Sequence, residues 1–226
     1  MAHEHAVLAG SLMQVPGAQA CNSPLILDLN DDGIHTTDLG WAVSFDIDSD
    51  GIPELTGWTL PQSEDAFLWI DLNRNGVADS GLELFGDATL LPDGTFARHG
   101  FEALAVYDSP EMGGNGDGLI SPLDLVWEDL LLWKDRNHDG RTDRGEVSRL
   151  KTHSIIALGL DYEELQAYDD ALNLHRYQGA FTRAVRPVLD IRPKGGRPPL
   201  LRLQDLHDVI FQTRELQDES QEPAGP

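Results

Sequence analysis

"SPLDLVWEDLLLWKDRNHDGRTDRGE", residues 121–146, carries the reading on which the fold turns. Its first half has apolar residues at Leu123, Val126, Trp127, Leu130, Leu131 and Trp133, with Asp124, Glu128 and Asp129 on the other side. Pro122 suits a first helical turn and Ser121 an N-cap. The spacing predicts an amphipathic helix from Pro122 to Lys134. The second half, Asp135 to Glu146, places oxygen-bearing side chains at its first, third, fifth, ninth and twelfth places and glycine at its sixth. That is the helix–loop–helix calcium signature. Asp135, Asn137 and Asp139 supply alternating oxygens, and Gly140 makes the turn. Arg141 offers only its carbonyl, Asp143 acts through water, and Glu146 closes the shell with both oxygens. A further helical turn is expected from Glu146 to Leu150.

Four weaker loops follow the same logic. Asp71, Asn73 and Asn75 precede Gly76, with the carbonyl of Val77 and the side chain of Asp79 after it. Their twelfth place is Leu82, so the late carboxylate falls to Glu83, with Asp87 in support. Asp46, Asp48 and Asp50 precede Gly51, and Glu54 holds the ninth place. Asp28, Asn30 and Asp32 precede Gly33, but no closing acid follows. Asn115, Asp117, Gly118 and Asp124 lack a first aspartate, which Asp108 or Glu111 would have to supply from upstream. One Asp-Gly turn needs no metal; five in one chain point to a common purpose. The loops at 115–124 and 135–146 share the Pro122–Lys134 helix, which predicts two hands packed back to back. Calcium suits these oxygen sets best. Magnesium demands a tighter octahedron, and one cysteine with eight scattered histidines makes no zinc cluster.

The bulk numbers agree. The net charge is -23, which argues against nucleic acid and favours cations or a basic partner. Between Asp28 and Glu146 stand 26 acidic and only 6 basic residues. Carboxylates packed so densely repel one another, and bound cations remove that cost. Cys21 is the single cysteine, so no intrachain disulfide forms. No apolar run is long enough for a transmembrane helix. "AVLAGSLMQVPGAQA" ends in an Ala-x-Ala-like site before Cys21 but lacks a basic start. Residues 1–20 therefore read as a leader-like segment or a disordered arm. The expected location is secreted or extracellular, with a cell-surface lipoprotein anchored through Cys21 as the other option.

"PLILDLNDDG", "VSFDIDSDG" and "FLWIDLNRNG" read as short strands running into acidic loops. A helix is expected at Phe101–Tyr107, strands at "SIIALGLDY" and "NLHRYQGAF", and an amphipathic helix from Leu200 to Phe211. Arg183, Arg186, Arg192, Lys194, Arg197 and Arg202 face only Asp190 in charge, as a basic strap over the acidic part. The fold class expected is α+β, with short strands and helices around several calcium loops, including an EF-hand-like pair. Residues 21–182 form the calcium-binding module, 183–214 the strap and amphipathic helix, and 215–226 a disordered tail.

The blocks "SPLILDLNDDGIHTTDL", "VSFDIDSDGIPELTGW", "FLWIDLNRNGVADSGLELFGDAT", "LPDGTFARHGFEALAVYD" and "LLLWKDRNHDGRTDRGEV" resemble, in that order, the FrpC-type self-processing module of secreted bacterial RTX proteins. The resemblance runs from Ser23 to Tyr162. It implies a calcium-dependent module that folds on binding the ion and cleaves an Asp-Pro bond at its upstream edge. In that family the aspartate attacks its own carbonyl, and the new end can join a lysine of another protein. Here the matching bond is Ser23-Pro24, and the chain has no Asp-Pro dipeptide. Serine cannot form the cyclic anhydride, so self-processing is not expected. A non-catalytic calcium-stabilised module is the leading reading. The alternatives are self-processing, and an adhesion or docking domain using Trp41, Trp58, Trp69, Trp127 and Trp133. The sequence names no protein partner.

Overall fold

The computed structural model describes residues 23–185 and 200–214. The leader-like arm, Cys21, most of the basic segment and the 215–226 tail lie outside these residues.

Eight strands make one antiparallel sheet that curls into a half-barrel. They are β1 (Leu25–Asp28), β4 (Asp65–Ile70), β5 (Leu119–Ile120), β6 (Leu130–Trp133), β7 (Val147–Arg149), β8 (Ile155–Tyr168), β9 (Leu174–Val185) and β10 (Leu200–Ile210). Their spatial order is β5-β8-β9-β10-β1-β4-β6-β7. A smaller sheet joins β2 (Val43–Phe45), β3 (Glu54–Thr56) and β11 (Thr213–Arg214) in the order β11-β3-β2. Among the described residues there is one α-helix, α1 (Gly100–Ala105), continued by a 3-10 turn at Val106–Asp108. The fold is mostly β, which corrects the α+β expectation and its EF-hand-like pair.

The apolar runs explain the correction. The central strands are buried on both faces, so their side chains alternate between two cores rather than between core and solvent. Leu25 and Leu27 of β1 enter one cluster with Phe101 and Leu104 of α1, while Ile26 enters the other with Phe45 and Trp58. On β4, Ala66 and Leu68 oppose Phe67 and Trp69 in the same way. "LLLW" repeats the device: Leu130 and Leu132 join the first cluster, Leu131 and Trp133 the second. It pairs with β4 from Phe67↔Trp133 to Ile70↔Leu130. The predicted Pro122–Lys134 helix is therefore a 3-10 turn (Leu125–Glu128) followed by β6. The helical turn expected after Glu146 is β7, followed by a 3-10 turn at Leu150–His153. A continuous apolar run beside helix-compatible acids reads as one helical face; a two-sided strand produces the same composition.

Leu200–Phe211 is likewise no helix. It is β10, which lies between β9 and β1 and completes the sheet. The expected strands at 154–162 and 173–181 are present as the longer β8 and β9.

The second core is aromatic. Trp58 packs on Phe67 at 4.4 Å and on Trp133 at 5.5 Å between ring centroids, and Phe45 and Phe211 join them. Truncating one such ring costs about 3–5 kcal/mol. The small sheet lies over this core, and the loops that follow β1, β2, β4 and β6 emerge around it.

Candidate functional site

Four of the five acidic loops leave the end of a strand. Asp28 ends β1, Asp46 and Asp71 follow β2 and β4 directly, and Asp135 follows β6 after Lys134. In each loop the first carboxylate folds back over the turn and accepts backbone N–H groups. Asp135 Oδ1 takes those of His138 and Asp139 at 2.7 and 3.2 Å, and Oδ2 takes Gly140 at 2.8 Å. Asp28 does the same with Asn30, Asp31 and Asp32 through Oδ1, and with Gly33 through Oδ2 at 2.7 Å. Asp71 reaches Asn75 and Gly76, and Asp46 reaches Gly51 at 3.1 Å. The backbone is shared as well. Fourth residues Asp31, Ser49, Arg74 and His138 have φ between 61° and 69°, and the sixth-place glycines have φ between 70° and 95°. Glycine adopts that conformation without the Cβ penalty.

The loop at 115–124 belongs to the same set. Its missing first aspartate is Asp108. Oδ1 accepts from Gly116 and Asp117, and Oδ2 accepts from Gly118 at 2.9 Å. Gly116 and Gly118 carry the two positive φ angles, 72° and 82°. Of the two acids that the sequence left open, Glu111 stands exposed on a 3-10 turn, Pro110–Met112, outside this arrangement.

The closing acids also share a pattern. Glu146 accepts the N–H of Arg136 at 2.9 Å and of Asp143 at 3.0 Å. Glu83 accepts those of Leu72 and Asp79, both at 3.0 Å. Glu54 accepts that of Ile47 at 3.2 Å. Each thus reaches the second residue of its loop, so Glu54 takes the closing role from a ninth place in sequence. Asp124 closes its loop on Asn115 and Ser121. Asp87 does not support Glu83; it accepts the N–H of Ser23 at 3.2 Å.

Side chains at the third and fifth places meet one another. Asn30 Nδ2 donates to Asp32 at 2.8 Å, Asn115 to Asp117 at 2.8 Å, and Asn137 to Asp139 and Asp143 at 3.0 Å. Asn73 and Asn75 both donate to Asp79. The seventh residues, Val77 and Arg141, donate their N–H to the fifth, Asn75 and Asp139.

Two carboxylates beside the loops, Glu54 and Asp65, are raised by burial. Asp46, Asp48, Asp50 and Glu54 each offer an oxygen, and these oxygens all lie within 4.8 Å of one another. Burial, then the charges of Asp48 and Asp46, pushes Glu54 up to about 7. Asp46 Oδ1 is buried with no hydrogen-bond partner. Asp65, which the sequence reading did not single out, stands opposite Asp28 in the β1–β4 register. Its Oδ2 accepts the N–H of His35 at 2.9 Å, while Oδ1 is buried without a partner. Burial pushes Asp65 up to about 6. It stands beside the loop after β1, whose own sequence offers no closing acid. The signal for it was the pairing of "LILD" with "DAFLWI", which only register reveals. At the Asp46/Asp48/Asp50/Glu54 set, an unpaired buried oxygen among converging carboxylates fits a hard divalent cation; beside Asp65 stands a nitrogen as well, His35 Nδ1 at 3.8 Å.

At the upstream edge, Ser23 is buried. Arg176 Nη2 donates to its Oγ at 2.8 Å, and Arg176 Nε donates to the fully buried Asp208 at 2.9 Å.

No helix among the described residues is long and apolar enough to cross a membrane. A family model described as the SPM domain matches residues 25–190. The iron-regulated protein FrpA of Neisseria meningitidis serogroup C is 41% identical over 162 residues, 71% of this chain. The chain spans 14% of the length of that relative. The matched residues take in all five loops and strands β1 to β9, and on that extent the chain belongs to the SPM domain family.

Proposed function

We propose that this chain is a secreted, RTX-related module that binds calcium and takes its stability from it. The observation that carries the reading is the Asp46/Asp48/Asp50/Glu54 cluster, with its converging oxygens and the unpartnered Asp46 Oδ1. Asp135, Asn137, Asp139 and Glu146 would hold a second ion, with Arg141 lending its carbonyl and Asp143 a water. Asp71, Asn73, Asn75, Asp79 and Glu83 with the Val77 carbonyl, Asp28, Asn30, Asp32 and Asp65, and Asp108, Asn115, Asp117 and Asp124 would hold others. Extracellular calcium modules bind at about 10⁻⁴–10⁻³ M, so such a module fills outside the cell. Binding to the folded state alone raises its stability by mass action.

The test is a calcium titration by calorimetry, with thermal melts run in calcium, in magnesium and in EDTA. The reading expects several ions bound per chain and a midpoint that drops in EDTA. Equal midpoints, with no heat of binding at millimolar calcium, would sink it.

We further read the module as non-catalytic. Ser23 offers no side-chain carbonyl to carry an anhydride, and its hydroxyl is held by Arg176. Incubation with calcium followed by mass spectrometry should leave the chain whole. A fragment beginning at Pro24 would overturn this part alone.

A further inference from the structure

Of the five tryptophans, Trp58, Trp69, Trp133 and Trp127 are buried, and only Trp41 is exposed, at 56%. It lines an open groove of about 280 Å³. Leu60 and Ala171 form apolar parts of the lining, and Asp38 and Asp170 bring two exposed carboxylates to it. The groove is assembled from three separate segments: the Thr36–Trp41 turn, the stretch after β3, and the turn between β8 and β9. Each is tied down. Asn173 donates to Thr36 Oγ1 at 2.7 Å and to the carbonyl of Thr37 at 3.0 Å. The His138 ring lies between the carbonyls of Trp41 and Thr59, 2.9 and 3.1 Å from its two nitrogens, and as a neutral ring donates to one of them. Its ring also lies 5.2 Å from that of Trp41. An exposed indole on so short a turn is thus held in place rather than left free.

We propose that this groove binds a cationic side chain, arginine above all, presented by a basic segment of a partner protein. An indole face attracts a guanidinium through its quadrupole, and a carboxylate beside it pairs with the same group. No lysine or arginine lines the groove among the described residues. The charge of -23 draws such a partner in and repels a second copy of this chain or a nucleic acid. None of the lining residues is a proposed calcium ligand, but His138, which holds Trp41, belongs to the Asp135–Glu146 loop, so the test is run in calcium.

The test is calorimetric titration of the purified chain, in calcium buffer, with an Arg-Gly-Arg-Gly-Arg peptide and with the same peptide carrying citrulline for arginine. Citrulline keeps the shape and loses the charge. We expect Trp41→Ala to weaken binding roughly tenfold, Trp41→Phe to weaken it less, and Asp170→Asn to weaken it a few-fold. The double variant Glu163→Gln/Glu164→Gln on β8 removes more charge outside the groove and should leave the affinity within twofold. Thermal melts confirm that each variant is folded. Equal affinity of Trp41→Ala and the unaltered chain overturns the proposal, as does binding of the citrulline peptide or an equal loss in the β8 variant. No binding of the arginine peptide, or saturation by a neutral oligosaccharide in its place, overturns it too.

Discussion

The hydroxyl of Ser49 accepts a hydrogen bond from the backbone N–H of Leu82 at 2.8 Å and donates towards Ser80 Oγ at 3.2 Å. Ser49 sits between Asp48 and Asp50, while Leu82 precedes Glu83. Beside this contact, Gly81 N donates to the carbonyl of Asp46 at 2.9 Å. A Cβ on Gly81 would come within 1.8 Å of the carbonyl of Ile47. The loops after β2 and β4 therefore share one rigid seam, and each places a closing acid on its own side of it.

Removing the hydroxyl should loosen both loops together. Ser49→Ala leaves the Leu82 N–H without its partner, worth about 1 kcal/mol of stability. Calcium affinity should fall in both loops, although Ser49 is not itself among the proposed ligands. Titration of the variant, with backbone amide shifts followed by NMR, checks this. A change confined to residues 46–54 would show that the seam does not couple them.

The sixth-place glycines should not tolerate alanine equally. Any residue with a Cβ at positive φ costs about 1–2 kcal/mol. At Gly33 that is the whole cost, because nothing lies within 4 Å of the added atom. At Gly140 the methyl also meets the carbonyl of Ser44 at 2.9 Å and the side chain of Val43. Gly140→Ala should thus lower the urea midpoint clearly more than Gly33→Ala. The reverse order would mean that the loop after β6 does not pack on β2 as described.

Without metal, the stability that Glu54 contributes should fall as the pH rises. Glu54 has a folded value of about 7 against a usual value of 4.5, so the folded chain holds its proton more tightly than the unfolded chain does. Its contribution is complete below the unfolded value and is lost as pH climbs through about 7. Asp65 and Asp87, raised by burial to about 6 and about 7, tilt the curve the same way. In EDTA the melting midpoint of the unaltered chain minus that of Glu54→Gln should therefore be higher at pH 5.5 than at pH 8. That difference cancels the opposite pull of His99, His153 and His207, whose values burial lowers. Calcium should raise the midpoint more at pH 8, since a cation and a proton compete for the same carboxylate. Glu54→Gln should flatten the EDTA slope in part; an unaltered slope would remove Glu54 from the account.

These residues also show how far the sequence could be read. The oxygen pattern at Asp135–Glu146 and the three strands "LILD", "VSF" and "DAFLWI" were legible, because alternating donors and strand-to-loop transitions are local. The run "LLLW" was not. A strand buried on both faces has no period, and "SPLDLVWED" before it supplied a plausible cap and first turn. Leu200–Phe211 failed for a related reason. Leu206 faces one core and Val209 and Phe211 the other, so this strand too ends buried on both faces and shows no simple apolar-polar alternation there. Asp65 was hidden because its place beside Asp28 depends on pairing across 37 positions of chain.

Asp108 gives the sharpest comparison between what was open in sequence and what the fold decides. Its carboxylate is largely buried and accepts three backbone N–H groups, from Gly116, Asp117 and Gly118. Glu111, three residues on, is exposed. Asp108→Ala removes those three hydrogen bonds, at about 0.5–1.5 kcal/mol each, since Gly116, Asp117 and Gly118 are exposed and water takes up their donors. Asp108→Asn preserves one acceptor oxygen and should fall between the variant and the unaltered chain. Glu111→Ala should change stability by less than about 0.5 kcal/mol. Urea unfolding of the three variants, in EDTA so that metal binding does not enter, reads the ranking directly. If Glu111→Ala proved as costly as Asp108→Ala, the first carboxylate of the 115–124 loop would have been assigned to the wrong residue.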